Sequence, residues 1–117
     1  MSNISELTLT KIVNGIKKKD FTSEEVTNSF INKSQKSKKL NVYITECFEE
    51  ALKSAKNFDK KKDNKGLLSG VPIAVKDLFC TKNVKTTAGS KILNNFIPTY
   101  ESSVTHNLWS QGAFLLG

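Results

Sequence analysis

Two short apolar runs, residues 71–75 and 113–116, constrain the fold of this chain more than any other feature. The first run is rich in β-branched residues and is bounded by Gly70 and Asp77. A short, continuously apolar run of this kind is typical of a strand buried on both faces of a parallel sheet. We therefore predict two strands of an α/β sheet.

A helical pattern lies between the two predicted strands. Ser102 or Ser103 can cap this helix, and its apolar positions are Val104, Leu108 and Trp109. A strand, a helix and a strand in this order predict a right-handed crossover in an α/β sheet.

Helical spacing of apolar residues predicts three more helices in the first half of the chain. The apolar positions of the first and third are Leu9, Ile12, Val13 and Ile16, and Phe48, Ala51, Leu52, Ala55 and Phe58. Thr8 can cap the first helix, and Thr22 with Glu25 forms a capping box that starts the second. We expect the second helix to run to about Ser37 and the third to dissolve in a charged linker, 59–65.

Two further segments show weaker patterns. Leu40, Val42 and Ile44 alternate with polar residues, the period of two that predicts a strand with one buried face. The residues from 77 to 101 show only weak periodicity, and a loop of this length in a compact domain usually has a function.

The predicted elements indicate part of a domain. A parallel sheet must be covered on both faces, so two buried strands and four helices suit the N-terminal portion of a larger α/β domain. We expect residues 1–65 of this portion to be mostly helical and residues 66–117 to start the central sheet, with the remainder of the domain missing. A chain of 117 residues is long enough for one ordinary domain at most.

The formal net charge of +7 is also typical of modules that bind nucleic acids. All 18 basic residues are lysines, however, so the planar guanidinium group that binds phosphate or guanine in a bidentate way is absent. Fourteen of these lysines lie in residues 1–65, in runs such as 17–19 and 60–62. We interpret the excess as a solvated surface and keep a lysine-rich nucleic-acid-binding module as an alternative.

Several classes of protein and site are disfavoured. The apolar runs are far shorter than the roughly 18 residues that cross a bilayer, and the N-terminus lacks the pattern of a secretory signal, so we expect a cytoplasmic protein. Cys47 and Cys80 stand far apart and His106 is the single histidine, which favours neither a disulfide framework nor a structural zinc site. Neither glycine-rich phosphate-binding motif occurs, so we expect no cofactor in this chain.

Lys76 differs from the other lysines because it directly follows the first apolar run. Open α/β sheets bind their ligands at the carboxyl ends of their strands. Burial there would lower the pKa of the lysine, and a neutral lysine can take a proton from a hydroxyl. Lys76 is therefore a candidate general base. The structural alternative is a strand-end lysine that reaches solvent or pairs with a carboxylate such as Asp77.

Other nucleophiles and bases are weaker candidates. The serines at positions 69, 90, 102 and 103 lie outside any Gly-x-Ser-x-Gly motif, so caps and turns explain them better. His106 has no carboxylate or cysteine at ligand spacing, and we expect it on the solvent side of its helix. Cys80 lies close to Lys76 in the sequence, but we expect a structural role.

Several segments of the second half carry a resemblance to a known family. The strings GVPIAVKD at 70–77, CTK at 80–82 and TTAGS at 86–90 resemble the first motif block of the amidase signature family. Three strings, KDLFCTK at 76–82, SKILNNF at 90–96 and YESSV at 100–104, are similar, more narrowly, to the branch that supplies the A subunits of glutamyl-tRNA(Gln) amidotransferases. The resemblance covers essentially the whole chain and implies the N-terminal portion of an amidase-signature fold, a mixed sheet flanked by helices.

This resemblance implies a catalytic triad of serine, cis-serine and lysine, in which the lysine activates a bridging serine and that serine activates the nucleophile. Lys76 is the triad position present, and both serines would lie in a Gly/Ser-rich segment further along. We therefore expect the isolated chain to be inactive. The family often has glycine where this chain has Asn83, and asparagine also tolerates a positive φ.

The resemblance also implies a reaction and partners. Members of this branch release ammonia from glutamine, and a B subunit uses it with ATP and Mg²⁺ to convert Glu-tRNA(Gln) to Gln-tRNA(Gln). A glutamine-hydrolysing subunit that works in a heterotrimer with B and C subunits is therefore the first hypothesis. A stand-alone amidase of the same family is the alternative within this class.

Overall fold

The computed structural model describes residues 3–61 and 65–117. Its helices are α1 (Leu9–Lys18), α2 (Ser23–Lys36), α3 (Phe48–Lys61) and α4 (Ser103–Ser110). Its strands are β1 (Pro72–Ile73) and β2 (Phe114–Leu115), and short 3-10 turns cover Ile4–Glu6 and Lys38–Leu40. Within these described ranges, no helix has the length and apolar character needed to cross a membrane.

The starts of the helices confirm the predicted caps. The Thr8 hydroxyl accepts a hydrogen bond from the backbone N–H of Lys11 at the start of α1. At the start of α2, the Thr22 hydroxyl accepts from the N–H of Glu25 at 3.1 Å, and the Glu25 carboxylate accepts from the N–H of Thr22 at 2.7 Å. The capping box therefore forms, and Ser102 caps α4 through its hydroxyl.

Helix α3 extends further than predicted. It continues through Asp59 to Lys61, so the expected linker is wrong over its first residues, while 62–64 lie outside the described residues. The Asp59 carboxylate accepts hydrogen bonds from the backbone N–H groups of Ser23 and Glu24, both at 2.9 Å. The first N–H groups of a helix have no partner within it, so the end of α3 stabilises the start of α2.

The strand predicted from the alternation of Leu40, Val42 and Ile44 is wrong. Leu40 ends a 3-10 turn, and Asn41 has a left-handed conformation with φ of 49° that interrupts an extended path. Leu40, Val42 and Ile44 are 66%, 65% and 60% exposed. Tyr43 packs against the core instead. The period of two is present, but the apolar residues are exposed and Tyr43 between them is the one that faces the core.

The predicted pair of parallel strands is confirmed. The register places Pro72 opposite Phe114 and Ile73 opposite Leu115. Because α4 lies between β1 and β2 in the chain, the three elements form a crossover unit of an α/β sheet. The hand of this crossover stays a prediction.

Burial of the first apolar run is only partly as predicted. Val71 is 2% exposed and Pro72 is also buried, whereas Ala74 is exposed. The expectation of burial on both faces is wrong at Ala74, because β1 ends at Ile73 and Ala74 lies past the paired residues.

Two clusters of buried apolar residues hold the helices and the sheet together, and α2 contributes to both. Their members are Ile12, Ile16, Val26 and Val71 in the first, and Ile31, Ala51 and Leu116 in the second. Val71 precedes β1 and Leu116 follows β2, so the clusters attach both strands to the helices. Leu7 and Phe21, the residues before the helix caps Thr8 and Thr22, pack against the first cluster, as the residue before a cap does in a hydrophobic staple.

Candidate active site

Lys76 lies at the edge of the sheet where the sequence predicts a site. The strands are parallel, so their carboxyl ends meet at one edge, where the N–H of Val75 donates to the carbonyl of Gly117 at 2.9 Å. Lys76 follows this bond directly. Its carbonyl accepts from the N–H groups of Leu78 at 2.7 Å and Phe79 at 3.1 Å, so the chain turns as soon as it leaves the sheet.

A cavity of about 400 Å³ opens at this edge, and Lys76 lines it. Its other lining residues come from the segments 42–45, 75–81 and 84–89 and from the residues at and after the end of β2. They include apolar side chains such as Val42 and Ile44 beside a few polar ones. A concave site of this size and character is typical of small-molecule binding.

The predicted burial of Lys76 is wrong, because this residue is exposed. It lies one residue past the last backbone hydrogen bond of the sheet, in the turn that leaves it. Exposure alone suits the structural alternative, in which a strand-end lysine reaches solvent. Its place on the cavity wall, however, also gives the amine access to a group bound there, which a general base requires.

Asp77 does not pair with Lys76. The one ion pair found within the described residues joins Lys56 and Glu24 at 3.5 Å. The Asp77 carboxylate instead accepts two hydrogen bonds from Thr87, one from its N–H at 2.8 Å and one from its hydroxyl. The Asp77 carbonyl accepts a third hydrogen bond, from the N–H of Ala88 at 2.7 Å. Asp77, the residue after the candidate base, therefore holds the turn at 86–89, about ten residues further along the chain.

This turn has an unfavourable backbone conformation. Ala88 has φ of 50° and Gly89 has φ of 69°. For a residue with a side chain, the left-handed region costs roughly 1–2 kcal/mol. The hydrogen bonds of Asp77 offset this cost on the cavity wall. The sequence did not predict this role, because the TTAGS string shows the turn but not the distant carboxylate that holds it.

Thr45 is a second residue that the sequence did not single out. Its hydroxyl oxygen is buried without a hydrogen-bond partner among the described residues, and the residue lines the cavity of Lys76. The predicted strand at 40–44 placed the residues around Thr45 in a sheet, which concealed its position beside the candidate site.

The serines have the cap and turn roles that were predicted. The Ser69 hydroxyl accepts from the N–H of Gly66 at 2.9 Å and donates to its carbonyl at 3.0 Å. Ser90 accepts from the N–H of Ile92 at 3.3 Å, and Ser102 caps α4. None of these three serines lines the cavity of Lys76.

None of the remaining candidates lines this cavity. Ser103 and His106 are exposed on α4, as predicted for the histidine. Both cysteines are free thiols. Cys80 is partly buried and its thiol donates to the Tyr100 hydroxyl at 3.6 Å, whereas Cys47 is buried, and burial raises the pKa of its thiol.

Asn83 adopts the left-handed conformation that the resemblance led us to expect. Its φ is 63°, and its N–H donates to the carbonyl of the buried Pro98 at 2.9 Å. The expectation that asparagine preserves this turn is confirmed.

Comparison with known sequences identifies one family. A family model described as Amidase matches residues 25–117, most of the chain. The chain is 63% identical over 117 residues to the A subunit of the glutamyl-tRNA(Gln) amidotransferase of Pelagibacter ubique (strain HTCC1062). It is 46% identical over 119 residues to that of Hyphomonas neptunium (strain ATCC 15444). Each match covers all of this chain and 24% of the relative, so the chain spans about a quarter of their length.

Solved structures of amidases have the same fold. A fatty acid amide hydrolase matches 96% of this chain and 21% of its own, with a TM-score of 0.87 and 26% identity. A bacterial aryl acylamidase of the amidase signature family matches 95% of this chain and 24% of its own, with a TM-score of 0.83 and 25% identity. These matches confirm the predicted α/β amidase-signature fold, and with the family model they show that the chain belongs to the amidase family.

Proposed function

We propose that this chain is part of a glutamine-hydrolysing A subunit of a glutamyl-tRNA(Gln) amidotransferase, and that Lys76 is its general base. The observation that carries the proposal is the position of Lys76, directly after the last backbone bond of the sheet and on the wall of a cavity. The 63% identity to a relative of that name over the whole chain supports the choice of reaction.

In the proposed mechanism, Lys76 takes a proton from a bridging serine, which takes one from the nucleophilic serine. The serine oxygen bonds to the carboxamide carbon of glutamine, the C–N bond breaks, and the nitrogen leaves as ammonia with the relayed proton. Water then cleaves the ester, which releases glutamate and restores the serine. This chain supplies the lysine, and the family resemblance implies both serines in a Gly/Ser-rich segment beyond it.

The proposal extends to the domain and its partners. Residues 1–117 form the N-terminal part of a single amidase domain, with 1–65 mostly helical and 66–117 starting the central sheet. The protein works in the cytoplasm with B and C subunits. The B subunit uses the released ammonia, ATP and Mg²⁺ to convert Glu-tRNA(Gln) to Gln-tRNA(Gln), and this chain itself holds no cofactor or metal.

The test is Lys76→Ala in the full-length protein, assembled with its B and C subunits. We expect glutamine hydrolysis and glutamine-dependent amidation of the tRNA to fall roughly a thousandfold or more, because a triad loses its function with one member. Amidation with ammonium chloride as nitrogen donor should persist, since free ammonia bypasses the hydrolysis step.

Lys91→Ala is the matched control, because Lys91 is an exposed lysine of the same half of the chain that does not line the cavity. This variant should keep both activities. Full glutamine hydrolysis in Lys76→Ala would refute the assigned base, and loss of the ammonia-dependent reaction as well would show a defect in assembly instead.

A stand-alone amidase is the second candidate function. The solved structures similar to this chain include proteins named fatty acid amide hydrolase and aryl acylamidase, which favours this function. The purified full-length protein would then hydrolyse a small amide without any partner. Glutamine hydrolysis that appears only when the B subunit is present would exclude this candidate.

A further inference from the structure

We propose that Asp77 is a positioning residue, which fixes the turn at 86–89 as a wall of the cavity that Lys76 lines. This inference rests on the function proposed above and adds a residue that acts on glutamine binding through the turn rather than on the proton transfer.

The contacts of Asp77 join two segments of the cavity wall. One carboxylate oxygen accepts from the N–H of Thr87 at 2.8 Å, and the other accepts from the Thr87 hydroxyl. The Asp77 carbonyl accepts from the N–H of Ala88 at 2.7 Å. Hydrogen bonds to a carboxylate are stronger than those between neutral groups, so Asp77 is the main attachment of this turn to the sheet edge.

Packing does not explain the conformation of the turn. Ala88 and Gly89 are exposed and have φ of 50° and 69°. A Cβ atom built on Gly89 would have no heavy atom within 4 Å. Glycine adopts its φ without steric cost, so Ala88 is the residue whose conformation needs support. Its N–H donates to the Asp77 carbonyl, and the N–H of Thr87 beside it donates to the Asp77 carboxylate.

The backbone of Lys76 is held independently of the Asp77 carboxylate. Val75 is bonded to Gly117, and the Lys76 carbonyl accepts from the N–H groups of Leu78 and Phe79. Loss of the carboxylate should therefore release the turn and leave the candidate base in place. A change in the cavity wall alone weakens binding of the substrate and of the transition state together, which raises KM and leaves kcat nearly unchanged.

Hydrogen exchange in the full-length protein tests the contact itself. In Asp77→Ala, the amide of Thr87 should exchange about tenfold faster than in the natural protein, because the carboxylate that accepts its hydrogen bond is lost. Amides of α2 should not change. Unchanged exchange at Thr87, or an equal increase in α2, would overturn the inference.

Kinetics of the assembled enzyme test the role. Asp77→Ala should raise KM for glutamine about tenfold with kcat within about threefold, whereas Lys76→Ala should lower kcat. Asp77→Asn should restore most of the affinity, because its amide can accept from the Thr87 N–H and donate to the Thr87 hydroxyl. Equal defects in Asp77→Ala and Asp77→Asn, or a loss confined to kcat, would contradict a positioning role.

Thr87→Val tests the contact between Asp77 and Thr87 without changing Asp77. It removes the hydroxyl that donates to Asp77 and accepts from the N–H of Gly89 at 3.2 Å. It should therefore raise KM in the same direction, whereas Thr87→Ser keeps the hydroxyl and should not. An unchanged KM in Thr87→Val would overturn the inference. If Lys76→Ala keeps glutamine hydrolysis, the assignment of Lys76 as the general base is wrong. If Lys76→Ala is inactive and KM is unchanged in Asp77→Ala, the role of Asp77 alone is overturned.

Discussion

Asp59→Ala removes a carboxylate of α3 on which the start of α2 depends. The carboxylate accepts from the N–H groups of Ser23 and Glu24, both at 2.9 Å. The local cap, Thr22, binds a different donor, the N–H of Glu25 at 3.1 Å. The substitution therefore leaves two N–H groups at the helix start that Thr22 cannot serve.

The size of the effect follows from these two bonds. A hydrogen bond to a charged group contributes about 1.5–3 kcal/mol, and a negative charge at a helix N-terminus adds about 0.3–1 kcal/mol. Ser23 is fully buried at 0% exposure, so water cannot readily replace the lost acceptor there. We expect Asp59→Ala to lower the free energy of unfolding by about 3 kcal/mol, and Asp59→Asn, which keeps one acceptor oxygen, by about half of that.

Urea denaturation of the full-length protein, followed by circular dichroism, measures this change. Asp20→Asn is the matched control for Asp59→Asn, because Asp20 is exposed, precedes α2 and carries the same charge. The control should change the free energy of unfolding by less than about 0.5 kcal/mol. A loss below about 1 kcal/mol in Asp59→Ala, or equal losses in the two asparagine variants, would refute the reasoning.

Two further predictions concern the turn and the cysteines. Ala88→Gly should raise the free energy of unfolding by about 0.5–1 kcal/mol, because glycine adopts the φ of 50° without steric cost. Ala74→Gly, at an exposed position without positive φ, should lower the free energy of unfolding. If urea titration shows a lower free energy of unfolding in both variants, the assigned turn is contradicted. At pH 8, iodoacetamide should modify Cys80 faster than Cys47, because burial limits access to the Cys47 thiol and raises its pKa. Peptide mass spectrometry measures both rates, and equal rates would contradict the assigned burial.

The predicted position of Lys76 and its predicted burial have different outcomes. The prediction of its position, at the carboxyl end of a parallel strand, is confirmed by the register of β1 and β2. The prediction of its burial is wrong. Position depends on the apolar run that forms the strand, whereas burial depends on which other elements cover the strand end, and no pattern within the run contains that information.

The same distinction explains the errors in the fold. The period of two at 40–44 is present in the sequence, but a strand also needs a neighbouring edge to pair with, and Asn41 turns the chain away from an extended path. The charges around Asp59 resemble a linker. These residues form the end of α3 instead, where the Asp59 carboxylate accepts a hydrogen bond from the N–H of Glu24, 35 residues away in the sequence.

Local patterns of residues were enough to predict the starts of the helices, the two parallel strands and the place of Lys76 at the end of the first. These features depend on groups within about four residues of each other or on continuous apolar runs. The cavity, the exposure of Lys76 and the bond of Asp77 to Thr87 became visible in the folded chain. Each of these requires segments far apart in the chain to meet, and their meeting depends on the burial of apolar surface by the whole fold.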